Sequence, residues 1–455
     1  MKIVIIGAGE MGYHLARRLS FEKQDVTLVD RSEERVYWLT ENLDVRVMHG
    51  RGSSPSVLRE AGVSSASIFI AVTDSDEANL VASYVAGRLN SSLLKVARLR
   101  EEDFWLYPEL FNHHHFGLDL VISPEDEAVK KLFRVLQVPA ATDVVNFAEE
   151  RIRLFAIRLG PTSPLAGRSL MDLRKDYPLE SFLVPAIFRE AQCIIPRGAD
   201  VLRPLDTVYF LAASDAVDRI VGICGYRPNT LKSYMILGGT TVGIKIARTL
   251  EKEGITNIRL VESDLAKCEE IAESLNHTLV LRADTVDEEF LRHEGISELD
   301  AFLAVTNNEE YNALTAVLAK RMGAKRVAAL THKAEYDYIV TAIGVDVAIN
   351  PRLTGVSRIL QYIRRGKVIS VSTLPGEAVE IVECEAMETS DLVGRPLSKV
   401  RLPHGSLIGA LERNKEFMIP NGATVIEPGD RVVIFARREV IPEIEKVVTV
   451  KLEYF

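Results

Sequence analysis

Gly7-Ala8-Gly9-Glu10-Met11-Gly12 follows the apolar run KIVII and opens a segment of helical period. In this spacing Gly7 permits a tight turn, Gly9 offers backbone without a Cβ to an approaching phosphate, and Gly12 lets helix and strand close together. The free amides and the helix dipole then favour an anion. Asp30 ends the next apolar run, roughly 20 residues on, where a carboxylate accepts the hydroxyls of a ribose. An acid there disfavours a 2′-phosphate, which predicts NAD(H) or another unphosphorylated adenosine nucleotide rather than NADP(H). A glycine turn kept only for packing leaves Asp30 unexplained.

Thr73-Asp74-Ser75-Asp76-Glu77 ends a later apolar run, at the edge where open α/β sheets bind ligands. Asp74 and its neighbours are therefore candidates to lie beside the nucleotide, although Ser75 or Asp74 acting only as a helix cap accounts for the same residues. Arg98 and Arg100 close the following strand and are candidates for phosphate or adenine, against the plain alternative of solvated arginines. His113-His114-His115 is a poor metal site, because consecutive side chains point in different directions. The four cysteines contain no CxxC pair, so no zinc site or disulfide framework is legible, and a reducing compartment is expected. No Ser/His/Asp or Cys/His arrangement can be placed near the glycine loop, and no substrate domain of useful size accompanies it.

These residues need a scaffold, and the chain supplies it twice. At 455 residues, with 47% hydrophobic and 26% charged, it is ordinary globular protein of about three or four domains. A net charge of −9 argues against nucleic acid as a partner. The N-terminus reads directly into a strand rather than a signal peptide, and no apolar stretch approaches the length of a membrane span. IVIIGAGEMGYHLARRL is echoed by YMILGGTTVGIKIARTL, AVTDSDEANLVA by AVTNNEEYNALTA, GLDLVISPEDEAV by GVDVAINPRLTGV, and IIPRGADVLRPLDTVYFLA by MIPNGATVIEPGDRVVIFA. The protein is thus two tandem copies of one two-part unit.

In the first part of each unit, β-branched runs alternate with amphipathic segments, which predicts a parallel sheet with helices on both faces. Pro108 is expected to break or kink a helix in EEDFWLYPELFNHHHF. The second part, richer in Pro and Gly, predicts a small α+β domain with short strands and one helix around SLMDLR. The second glycine loop departs from the first: Thr240 stands where Gly9 stands, and Glu262 where Asp30 stands. The added Cβ should weaken dinucleotide binding, yet a threonine hydroxyl can itself bond a phosphate, so occupancy of the second loop stays open.

The order GAGEMGYHLARRL, LVD, GSSPSVLREAGV, AVTDSDEANLVA, VISPE, then LAGRSL and IPRGAD, all given twice, resembles the TrkA family of cytosolic nucleotide-binding subunits of Trk potassium uptake systems. The likeness covers essentially all 455 residues. It implies two RCK units: Rossmann-like TrkA-N domains at 1–138 and 232–365, followed by TrkA-C domains at 139–226 and 366–455. It also implies a non-enzymatic regulator, cytoplasmic and peripheral on the inner face of the membrane. Such a subunit meets the membrane only through a potassium-conducting partner and responds to NAD(H), ATP or ADP. A homo-oligomer is implied, four chains giving a ring of eight units. Carried over by motif, the nucleotide loop falls on Gly7, Gly9, Glu10, Met11 and Gly12, the ribose acid on Asp30, and adenine-side contacts on Gly52 and Ser53. Thr73, Asp74, Asp76 and Arg98 complete the first site. The second copy offers Gly238, Thr240, Thr241, Gly243 and Glu262, and departs at Thr240 and at Ala329, taken as the counterpart of the end of the arginine-bearing strand. The rival readings are an NAD-dependent oxidoreductase and a nucleotide sensor acting on another partner.

Overall fold

The computed structural model describes residues 1–112, 115–177, 182–190, 192–227, 231–363, 368–374, 379–388 and 390–448. His113 and His114 lie outside the described residues.

The first copy runs β1 (Lys2–Ile6), α1 (Glu10–Phe21), β2 (Asp25–Asp30), α2 (Glu33–Asn42), β3 (Arg46–His49), α3 (Pro55–Glu60), β4 (Ile68–Ala71), α4 (Asp76–Leu89), β5 (Leu94–Arg98), α5 (Glu102–Trp105), β6 (Leu120–Ile122) and α6 (Pro124–Leu136). The strands form a parallel sheet in the order β3-β2-β1-β4-β5-β6. KIVII makes the central strand because a strand covered on both faces must be apolar throughout, and residues 3–6 are buried without alternation. Strand order reverses between β1 and β4, which opens a crevice at their carboxyl ends. As expected, helix stops before Pro108: α5 ends at Trp105 and a 3₁₀ turn, Pro108–Phe111, follows. The second copy repeats this order, centred on the strand Ser233–Leu237, and its last helix is Pro351–Ile363.

Each parallel sheet is followed by a five-stranded antiparallel sheet, the first built from Ala141–Phe147, Ile152–Arg158, Leu183–Arg189, Gln192–Ile194 and Thr207–Ala213. The helix Leu170–Asp176 is the one expected around SLMDLR. A second, Val217–Ile223, was not expected, because a seven-residue helix holds too few turns to show a period.

The helices that end the two parallel domains are exchanged between copies. Val356, Ile359, Leu360 and Ile363 of the second copy join the core of the first sheet with Ile3, Ile5, Leu28 and Ile70. Ala128, Val129 and Leu132 of α6 join the core of the second, with Ile236, Ile246 and Leu260. The helix pair itself packs closely: a Cβ on Gly355 would stand 2.8 Å from Met11 Cε and 3.4 Å from Pro124. The two antiparallel sheets share a further core, in which Phe147, Leu154, Tyr209 and Leu211 meet Ile381, Ala410, Val433 and Phe435.

Candidate nucleotide site

The turn after β1 is set by Gly7, whose φ of +90° suits glycine, and whose absent Cβ would lie 2.7 Å from Thr73 Cα. Gly12 is bound more tightly still, since a Cβ there would sit 1.9 Å from the Gly7 carbonyl oxygen. A Cβ on Gly9 would meet nothing within 4 Å, and Gly9 is the N-cap of α1 with no side-chain hydrogen bond to the helix. The first-turn amides of an α-helix have no partner within it, so α1 presents uncapped donors beside open space. Such an end suits a phosphate.

Asp30 lies at this loop, where one carboxylate oxygen accepts the Ala8 amide at 2.6 Å and the other the Ser32 amide at 2.8 Å. Gly52 comes against β1, a Cβ there standing 2.8 Å from Ile6 Cβ, and the half-buried Ser53 follows it. Gly7, Asp30, Gly52 and Thr73 are therefore brought to one edge of the sheet. Glu10 turns back to Arg35 and His14, at 3.6 and 3.7 Å. Met11 is buried against Gly355 of the other copy, so only its backbone faces the loop.

The TDSDE segment divides. Ser75, rather than Asp74, caps α4 by accepting the Ala78 amide at 3.1 Å. Asp74 is exposed and pairs with Arg31 at 3.6 Å. Asp76 points inward, where it accepts the amides of Arg100 and Glu101 at 2.7 and 2.9 Å and fixes the loop after β5. Arg98 is largely buried, 4.0 Å from Glu125 at the start of α6. Burial pushes its pKa below the usual range, Glu125 pulls it back, and the positive charges of Arg100 and Arg352 add to the lowering. Its Nε and Glu125 Oε2 are buried without a hydrogen-bond partner among the described residues.

Two residues of this edge escape sequence reasoning. Asn79, fully buried in α4, accepts from the Thr73 amide and hydroxyl and donates to the carbonyls of Thr73 and Arg98, which ties β4 to β5. Arg35 donates from Nε to the Ala8 carbonyl at 2.6 Å and so braces the glycine loop. The repeat carried a signal for the first, since Asn312 makes the same set of bonds to Thr306 and Leu330. For Arg35, one arginine on an exposed helix gave none.

The second loop keeps the geometry and loses the vacancy. A Cβ on Gly243 would lie 2.1 Å from the Gly238 carbonyl oxygen, as at Gly12. The Thr240 side chain accepts the Gly243 amide at 3.2 Å and donates to the Val305 carbonyl at 2.8 Å. This copy's helix, which opens at the exposed Thr241, is therefore capped by the protein itself. Glu262 reaches the Gly239 amide at 3.0 Å as Asp30 reaches Ala8. Burial would raise its pKa, but the amides of Asp264, Ser263 and Gly239 together bring it below the ordinary value. Strand pairing corrects one equivalence: Arg98 pairs with Ile122 as Leu330 pairs with Ile349, so Leu330, not Ala329, stands in the place of Arg98. The reason is a shift of one residue, since Ala329 pairs with Ala348 as Ala97 pairs with Val121. Among the described residues no group of three or more His, Cys, Asp or Glu could hold a metal ion.

This twofold architecture has relatives. The TrkA-N domain matches residues 3–124 and 234–351, and the TrkA-C domain matches 154–225 and 381–449. The chain is 38% identical over 459 residues to the Trk system potassium uptake protein TrkA of Azorhizobium caulinodans, all of both chains being covered. It is 37% identical to that of Vibrio alginolyticus, over 96% of this chain and 95% of the relative. Among solved structures, the GsuK channel bound to NAD superposes with a TM-score of 0.61 at 16% identity, covering 98% of this chain and 78% of that one. The GsuK RCK domain gives 0.59 at 16% identity, over 98% and 94%. Matched from end to end by these relatives, and by the two domain models in alternation, the chain belongs to the TrkA family of Trk potassium uptake proteins.

Proposed function

We propose that this protein is the nucleotide-binding regulatory subunit of a Trk-type potassium-conducting membrane protein, acting by bound-state conformation and not by catalysis. The observation that carries the reading is the uncapped start of α1 at Gly9, open above and flanked by Asp30. NAD(H) is the ligand that fits it: pyrophosphate on the amides of residues 9–12, ribose on Asp30, adenine toward Gly52 and Ser53. A structural neighbour is named as bound to NAD and another as bound to ADP. ATP and ADP are proposed to compete for the same loop, with Arg98 meeting the terminal phosphates. The second loop, closed by Thr240 and lacking a counterpart of Arg98, is proposed to hold no dinucleotide. The four domains are taken at 1–138, 139–226, 232–365 and 366–455.

No helix among the described residues is long and apolar enough to cross a membrane. Placement at the inner face of the membrane, through the conducting partner, is part of the proposal and is supported by membership of the family. The proposed assembly is a ring of four chains. Its support is a pair of apolar surfaces: Val81 and Leu106 in the first copy, and Leu314, the counterpart of Val81, with Ile339 in the second, are 48, 71, 67 and 49% exposed. Apolar side chains left in water on corresponding segments of both copies suit contacts between chains. The test is potassium flux into vesicles that contain the membrane partner, with and without this protein and each adenine nucleotide. Flux indifferent to the protein and to every nucleotide would overturn the reading.

A further inference from the structure

The helix that begins at the glycine loop ends against the antiparallel sheet of the other copy. Arg18, in the last turn of α1, lies 2.6 Å from Glu380 on the strand Val379–Glu385, and their side chains are only 10 and 2% exposed. One turn on, Phe21 receives the Arg438 guanidinium over its ring, 4.0 Å from the centroid. Both contacts join the first nucleotide loop to the second antiparallel domain, and neither has a repeat-related counterpart among the described residues. Thr249 holds the position of Arg18, and its hydroxyl is bonded to the Lys245 carbonyl of its own helix at 2.7 Å. Arg153 holds the position of Glu380, as the pairings Ala212 with Arg153 and Ala436 with Glu380 establish, and its Nε is buried without a hydrogen-bond partner among the described residues.

We propose that Arg18 and Glu380 are positioning residues that transmit occupancy of the first glycine loop to the antiparallel domain of the second copy, and not to the one that follows the loop in sequence. The inference rests on the reading of Gly7–Gly12 as a nucleotide site. A ligand on the amides of residues 9–12 bears on the start of α1. A helix is stiff along its axis, so a shift at its start is delivered at its end. There, a buried ion pair can neither stretch nor part cheaply, because each charge would be left desolvated. Glu380 lies beside Ile381, and Ile381 and Phe435 are in the core that joins the two antiparallel sheets. A displacement of this strand is therefore felt where those sheets meet. In the second copy Thr249 turns back on its own helix, and among the described residues no matching ion pair leads to the first antiparallel sheet. The two antiparallel domains of one chain thus respond unequally, and an assembly of such chains carries a built-in alternation.

Hydrogen exchange on the full-length protein, with and without NADH, tests this. In the native chain NADH is expected to change exchange in Val379–Glu385 by about fivefold or more, the lower end of ordinary coupling between sites, and to leave Ile152–Arg158 much less affected. The double variant Arg18→Met with Glu380→Leu removes both charges and keeps apolar volume, which folded proteins commonly tolerate. In it the response of Val379–Glu385 should vanish while calorimetric affinity for NADH stays within about threefold. Arg18→Lys, which keeps the charge, should restore part of the response. An undiminished response in the double variant, or an equal response of both strands in the native chain, would overturn the proposal. Absence of NADH binding to the native protein would instead overturn the nucleotide site itself, and this inference with it.

Discussion

The Asp30 carboxylate accepts the Ala8 amide at 2.6 Å, so the residue that ends β2 also holds the loop that follows β1. A ribose at this edge would meet a carboxylate already fixed in place. Asp30→Ala should therefore do two things. A hydrogen bond to a charged acceptor contributes about 1.5–3 kcal/mol, so NADH should bind at least about tenfold more weakly. The ligand-free protein should also lose about 1 kcal/mol of stability as the loop is untied. Calorimetric titration and denaturant melts read the two effects separately, and NADPH binding as tight as NADH in the native protein would contradict the ribose assignment.

Gly9 and Gly12 should separate binding from folding. A side chain at Gly9 meets open space and would fill the phosphate position, so Gly9→Val should keep its melting temperature and lose NADH. At Gly12 a Cβ would stand 1.9 Å from the Gly7 carbonyl oxygen, and Gly12→Val should be destabilised by about 3 kcal/mol or more, as overpacked interiors are. Equal melting curves for the two variants would count against this geometry.

Each chain should bind one dinucleotide. The Thr240 hydroxyl already serves the Gly243 amide and the Val305 carbonyl, and a phosphate would have to displace it. A calorimetric stoichiometry of two NADH per chain would show that the second loop opens.

Asn79 should matter to stability more than any charged residue of the edge. Asn79→Ala removes the partner of the half-buried Thr73 amide and of the Arg98 carbonyl, and unpaired groups shielded from water cost about 1–3 kcal/mol each. A loss of about 3 kcal/mol is expected in urea unfolding. A loss below about 1 kcal/mol would mean that water replaces the amide.

Leu106→Asp with Ile339→Asp should dissolve the assembly and leave the chain folded, because both side chains stand in water. Light scattering is expected to show smaller particles than for the native protein, with unchanged circular dichroism. Unchanged mass would place the contact between chains elsewhere.

Much of this was legible in the sequence for a local reason. Gly7, Gly12 and Asp30 are fixed by the turn after β1 and the end of β2, and a parallel strand such as KIVII announces itself by unbroken apolar character. The TDSDE segment was read less well. Ser75, Asp74 and Asp76 are neighbours in the chain, but one caps, one faces solvent and one points inward. Which does which depends on where the backbone after β5 passes, and that backbone is over 20 residues away.

The sequence by itself determined the repeat, the parallel sheets, the glycine loops and the difference between Gly9 and Thr240, because each rests on contacts within a few tens of residues. Only the tertiary structure decided that the helices ending the two parallel domains change places, that Gly355 presses on Met11, and that Arg18 meets Glu380. Two copies of nearly the same pattern leave an amphipathic helix equally suited to either sheet. The choice between them lies in the summed packing of both, which no single stretch of chain contains.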